Sequence, residues 1–262
     1  MKNNSDSPWN NPQLAELLVE EGQGLGLDLK PGQIQQLLLF GRELEKNNRR
    51  LNLTAIVEVE EVIRKHIIDS LAALPFLPFK EGKLVDIGSG AGFPGLALKI
   101  ACPELQVTLV ESIKKKAAFL SQTVAKLGLV GIKVSDRRAE ELGQDGAFRE
   151  YFRLATARAV ASLPVLLELA LPLLEVGGYF IAYKGPEPEE EIDQSQRALI
   201  LLGGKIKKVK KITLRGGEGR SLVIVKKLSS TPSPYPRRPG RPAKRPLLGP
   251  KEAGRNNLPV GE

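Results

Sequence analysis

Residues 84–95 read LVDIGSGAGFPG, an apolar run that ends in an acid and opens into four glycines within eight residues. Glycines at this density let the main chain approach a nucleotide-bearing ligand closely and supply the positive φ of a sharp strand-to-helix turn. Two frames fit the letters. From Gly90, G-A-G-F-P-G spells the dinucleotide pattern G-x-G-x-x-G. From Gly88, G-S-G-A-G spells the G-x-G-x-G turn of methyltransferases that use S-adenosylmethionine (SAM). A dinucleotide turn follows its strand directly, whereas Gly90 is preceded by Ile87, Gly88 and Ser89. KLVDI runs straight into Gly88, so the SAM frame is preferred.

Four further positions fall where such a cofactor would lie. Asp86 ends the strand and either ties down the turn or meets the cationic part of the cofactor; the frame favours the cofactor. Glu111 ends the next strand, placed to accept hydrogen bonds from ribose hydroxyls, as an acid there also does for NAD. Asp136 and the RRAEE run after it follow a third strand, beside the expected adenine; Glu140 and Glu141 read equally as an exposed acidic pair at a helix start. Arg158 ends a fourth strand, at the carboxyl edge where open α/β sheets carry functional residues.

The reaction is bounded by what is missing. No Asn/Asp-Pro-Pro-aromatic segment follows the fourth strand, where TARAVASLP stands, so transfer to an exocyclic amine is disfavoured. The only cysteine, Cys102, lies between the first helix of the sheet and its second strand, a place for a buried thiol rather than a nucleophile. An acceptor that is already nucleophilic fits better, such as a ring nitrogen like guanine N7, with catalysis resting on alignment. His66, the one histidine, shares a helix face with Asp69 but reads as a packing or surface residue. No metal-ligating pattern is apparent.

The elements that must position these residues are legible from periodicity. Residues 1–80 read as a helical extension, with QIQQLLLFGRELEKNNRRLNL and EVEEVIRKHIIDSLAAL each carrying one apolar face. Residues 81–228 alternate strand and helix: KLVDI, QVTLVE, IKVSD, RLATARAV and GYFIAYKG are strands, with PVLLELALPLLEVGG read as one helix. KIKKVKKITL and SLVIVKKL have no helix between them and pair as an antiparallel hairpin. The fold class is therefore α/β, a mostly parallel Rossmann-like sheet of class I SAM-dependent methyltransferase type with an antiparallel C-terminal hairpin. Residues 229–262 are proline-rich and read as an extended, mobile tail.

A chain of 262 residues with 26% charged and 42% hydrophobic content suits one large core. One cysteine, no N-terminal apolar leader and an apolar run interrupted at Glu168 and Pro172 give a cytoplasmic, non-membrane expectation. The net charge is +9, and residues 226–262 alone contribute nine Lys/Arg against two acids. With the five lysines of 205–211, this suits a polyanion or a merely solvated tail. Candidate nucleic-acid contacts are Lys205, Lys207, Lys208, Arg237, Arg238, Arg241, Lys244 and Arg245.

LNLTAI (51–56), HIIDSL (66–71), LVDIGSGAGFPGLALKI (84–100), LVESIKKKAAFL (109–120), RAEEL (138–142), ATARAVASLPVLLELALPLL (155–174) and YPRRPGRPAKRPL (235–247) occur in this order. Together they resemble the ribosomal RNA small subunit methyltransferase G family, formerly called glucose-inhibited division protein B. The resemblance extends over most of 30–248. It implies a seven-stranded sheet, SAM as cofactor, and methylation of N7 of a guanine in the 530 loop of 16S rRNA, naked or within the small subunit; the protein is taken as a monomer, apart from the resemblance. It also implies cofactor contacts at Gly88, Phe93, the Glu111 region, Ala139, Glu140 and Arg158. Glu111 stands where the family often has Asp. The alternatives are another methyl acceptor, an NAD-dependent oxidoreductase using the Gly90 frame, or a non-enzymatic RNA-binding module.

Overall fold

The computed structural model describes residues 7–215 and 217–249. A seven-stranded sheet has the order β3-β2-β1-β4-β5-β7-β6. Its parallel part comprises β1 (Gly82–Ile87), β2 (Leu105–Val110), β3 (Ile132–Ser135), β4 (Phe152–Arg158) and β5 (Leu174–Lys184). β7 (Gly219–Lys227) pairs antiparallel with β5, and β6 (Gly204–Thr213) antiparallel with β7, the hairpin expected from the sequence.

One face is covered by α1 (Gln13–Gly24), α2 (Pro31–Leu51), a composite helix, α5 (Gly95–Ala101) and α6 (Lys114–Lys126). The composite helix runs from α3 (Val59–Val62) through a π-helical stretch (Ile63–Ile68) into α4 (Asp69–Leu71). In α2, Ile34, Leu37, Phe40, Leu44 and Leu51 recur at helical spacing and are buried. They share one apolar cluster with Leu84 of β1, Leu154 of β4 and Ile224 of β7. The extension thus completes the core of the sheet. Trp9 is 5% exposed and packs on α2 beside Gly41, where an added Cβ would stand 2.0 Å from its ring. Gln33 Nε2 donates to the carbonyls of Ile100 and Ala101 at the end of α5, and Lys126 pairs with Glu43 at 2.5 Å.

The other face carries α7 (Ala139–Gln144), α8 (Leu163–Ala170), α9 (Glu189–Gln194) and α10 (Gln196–Leu202). Two expectations change here. The run read as one long helix stops at Ala170, because Pro172 cannot continue it; a single 3-10 turn follows and β5 already begins at Leu174.

The described part of the proline-rich tail, expected to be extended, is folded back onto the domain. Residues 231–247 form a strap seated on α7 and α8, with α11 (Arg241–Lys244) within it. Its backbone is satisfied by distant side chains. Arg149 donates to the carbonyls of Thr231, Pro232 and Tyr235, and Gln144 to those of Ser233 and Pro236. Glu168, fully buried, accepts from the Arg237 backbone N–H at 2.9 Å and from its guanidinium at 2.7 and 2.5 Å. Lys227, also fully buried, donates to Leu171 O at 2.6 Å and to Thr231 Oγ1, with Glu150 3.5 Å away. Burial holds its pKa down to about 8. Residues 250–262 lie outside the described part.

Candidate active site

At the carboxyl edge of the sheet, β1 ends at Ile87 and the turn starts at Gly88, so the Gly88 frame is the one the backbone uses. Gly88 has φ +67°, and an added Cβ would stand 2.6 Å from Val160 Cγ2. Only glycine fits without displacing the β4 loop. Glu111 pins the turn from the side: Oε2 accepts from Gly90 N–H at 3.0 Å and Oε1 from Ile113 N–H at 2.8 Å.

Asp86 stands beneath this turn and not at its mouth. It is fully buried, with Oδ2 accepting from Gly95 N–H at 3.1 Å and Oδ1 from the Thr156 hydroxyl at 2.8 Å. Burial pushes its pKa up to about 6. The direct cofactor contact favoured for Asp86 is therefore replaced by a support role, joining β1, β4 and the start of α5.

Two cavities flank the loop after β4. The first, about 230 Å3, is lined by Gly88, Glu111, Ser112, Ala139 and Glu140 on the strand ends and α7, and by Val160 and Val165. Gly240, Pro242 and Ala243 of the strap line it too. Four of the sequence-derived cofactor residues thus share one cavity. A glycine floor, an acid at the end of β2 and apolar walls are the parts an adenosine-bearing ligand needs, so these residues fit SAM.

The second cavity, about 540 Å3, lies across the loop and is lined by Lys65, His66, Asp69, Arg158, Ala159, Tyr183, Lys184, Glu191 and Arg220, among others. Arg158 opens here, apart from the first cavity. Its guanidinium donates to Asp69 Oδ2 at 2.8 Å and to the carbonyls of Lys65 and His66, which the π-helical stretch presents to it. π-helical turns of this kind recur at functional sites. Phe93 is buried between Phe40 and His66, its ring centroid 4.6 and 5.1 Å from theirs, with the Arg158 guanidinium 5.2 Å away. It packs against two residues that line the second cavity, His66 and Arg158.

His66 belongs to the site more closely than its sequence position suggested. Its Nδ1 faces Arg158 NH2 at 3.3 Å, and a guanidinium only donates, so Nδ1 is the acceptor and Nε2 carries the hydrogen. Nε2 then donates to Thr54 Oγ1 at 2.6 Å, in the loop after α2, and Asn48 of α2 donates to the Thr54 carbonyl. Burial, then the charge of Arg158, lowers the His66 pKa to about 4, so the ring is neutral at pH 7. Asp69 is held between Arg158 and Arg220, the latter at 3.3 Å; burial nevertheless raises its pKa. Tyr183 donates to Ser70 O at 2.6 Å, and Lys184 pairs with Glu191 at 2.7 Å. Spacing along the chain could not find these partners, because Arg158 and His66 are 92 residues apart; the ordered HIIDSL and TARAVA segments were the one signal.

The expected polyanion contacts divide. Lys205, Lys207 and Lys208 are exposed on edge strand β6, and the Lys210 charge lowers the Lys208 pKa. Arg238, Lys244 and Arg245 are exposed on the strap and Arg241 half-buried. Arg237 turns inward to Glu168, which removes its guanidinium from the outer surface. Glu140 accepts from Gly240 N–H at 2.9 Å, so it is a strap contact as well as a cavity wall.

The model of the family described as rRNA small subunit methyltransferase G matches residues 33–222. The chain belongs to this family. It is 45% identical over 236 residues to the ribosomal RNA small subunit methyltransferase G of Alkaliphilus metalliredigens, covering 89% of this chain and 99% of that one. The corresponding protein of Moorella thermoacetica is 48% identical over 235 residues, covering 88% and 97%. Among solved structures, a 16S rRNA adenine-N1 methyltransferase from Catenulisporales acidiphilia aligns with TM-score 0.50 and 15% identity, over 57% of this chain and 86% of that one. The [4+2]-cyclase SpnF aligns with TM-score 0.52 and 12% identity, over 72% and 95%. These likenesses show the class I SAM-dependent methyltransferase fold, as the sequence implied. Among the described residues, no helix is long and apolar enough to cross a membrane.

Proposed function

We propose that this rRNA methyltransferase family member transfers a methyl group from SAM to N7 of a guanine in the 530 loop of 16S rRNA. The observation that carries the reading is the pair of cavities on either side of the β4 loop, the smaller one fitted to SAM and the larger one open to an acceptor. Gly88, Glu111, Ala139 and Glu140 hold the cofactor, Arg158 stands in the larger cavity with Phe93 packed beside it, and Asp86 and Gly90 shape the turn. SAM supplies an electrophilic methyl group on a sulfonium. The guanine N7 lone pair takes the methyl carbon while the S–C bond electrons stay on sulfur, and positive charge passes to the purine. No proton moves in this step, so no general base is required, in keeping with a neutral His66 locked between Thr54 and Arg158.

The larger cavity carries two cations, Lys184 paired with Glu191 and Arg220 paired with Asp69, whose remaining N–H groups suit a guanine O6. Lysines of β6 and the outer face of the strap grip phosphates, and the protein works as a monomer in the cytoplasm. The test is methyl transfer from radiolabelled SAM to 16S rRNA, both naked and in the small subunit, with borohydride–aniline cleavage to find N7-methylguanine. One new cleavage in the 530 loop is expected; SAM binding with no transfer to either form would sink the acceptor assignment.

A further inference from the structure

The strap is joined to the cofactor cavity at several points. Gly240, Pro242 and Ala243 close one side of it, and Gly240 N–H is bonded to Glu140. Behind them, the Glu168–Arg237 clasp fixes the strap on α8 with three hydrogen bonds to one buried carboxylate. With the strap seated the cavity measures about 230 Å3 and the strap is one of its walls, so the position of the strap governs how freely a ligand there enters and leaves. The outer face of the same segment carries exposed Arg238, Lys244 and Arg245, so a polyanion laid there acts on the position of the inner face.

We propose that residues 237–244 are a gate of the cofactor site, held shut by the Glu168–Arg237 clasp and favoured in its shut position by RNA phosphates on its outer face. This rests on the reading of the smaller cavity as the SAM site. Coupling of this kind is reciprocal: whatever RNA does to cofactor retention, the cofactor does to RNA affinity.

The test measures S-adenosylhomocysteine dissociation by stopped flow and its affinity by calorimetry, with and without 16S rRNA. Hydrogen exchange across 231–247 is followed in the same samples. Glu168→Gln weakens the clasp and is expected to speed dissociation tenfold or more. Ala243→Trp, at an exposed position that a large side chain can occupy without disturbing the core, is expected to weaken affinity at least tenfold. Bound ligand is expected to slow exchange in the strap, and rRNA to slow dissociation further, an effect lost in Arg238→Glu/Lys244→Glu. Unchanged strap exchange together with unaltered affinity in Ala243→Trp would overturn the gate. An rRNA complex that releases the ligand no more slowly would overturn the coupling. If the unaltered protein bound no S-adenosylhomocysteine at all, the SAM-site reading itself would have failed.

Discussion

A single added methyl group probes the glycine turn most sharply. Gly88→Ala puts Cβ against Val160 and forces a left-handed φ that costs a non-glycine residue about 1–2 kcal/mol. SAM affinity is expected to fall at least tenfold in a folded protein; calorimetry showing native affinity would contradict the cavity assignment. His66 gives a pH signature. Its pKa falls from the ordinary 6.5 to about 4 in the folded chain, so the unfolded chain takes up the proton first and stability falls as pH drops through that window. His66→Gln keeps the hydrogen-bonding reach and removes the titration. Its urea-unfolding stability is expected to decline less between pH 7 and pH 5 than that of the unaltered protein, by roughly 1 kcal/mol after allowance for solvent screening. Equal declines would exclude the buried neutral ring. At this scale the sequence showed which residues line the turn, because their spacing is local. It misplaced Asp86, because whether a strand-end carboxylate points into a cleft or under a helix depends on partners such as Thr156, 70 residues away.

At the level of elements, alternation of strand and helix was readable because each period repeats over several residues. The boundary between α8 and β5 was not, since a continuous apolar run serves a buried helix and a buried strand alike. The strap was harder still. Proline and arginine content suggested a solvated tail, while the groups that seat it, Arg149, Glu168 and Lys227, lie in other elements and are themselves buried or half-buried. Arg149→Lys tests how far the strap depends on them. An ammonium cannot reproduce the fork that reaches Gly143, Thr231, Pro232 and Tyr235 carbonyls. Amide exchange in 231–237 is expected to accelerate at least tenfold while β1 and β4 amides keep their protection. Uniform acceleration everywhere would instead mean that Arg149 supports the whole domain.

Over the whole molecule, the excess of positive over negative charge is concentrated on one strand edge and in the C-terminal segment that includes the strap. If β6 tracks a phosphate backbone, rRNA affinity falls steeply with salt, and each of Lys205→Gln, Lys207→Gln and Lys208→Gln lowers the slope of log K against log salt by about 0.7–0.9. Filter binding between 50 and 200 mM salt, on the order of the range where such slopes are resolved, measures this. A slope untouched by all three changes would move the RNA path off β6. The bias toward a polyanion was visible in the sequence as lysine spacing. Which basic groups are spent internally was not, and Arg237 is the case in point.

The chain has one tryptophan, and the packing of Trp9 across α2 turns it into a built-in fluorophore for the extension. The indole lines neither cavity, so its emission should stay constant as cofactor is added and shift to the red only when α1 and α2 peel from the sheet. Because those helices share one apolar cluster with β1 and β4, that shift and the loss of helical circular dichroism are expected at the same urea concentration. Two separated midpoints would reveal an extension that lets go first, leaving His66 and Asp69 without the wall that holds them.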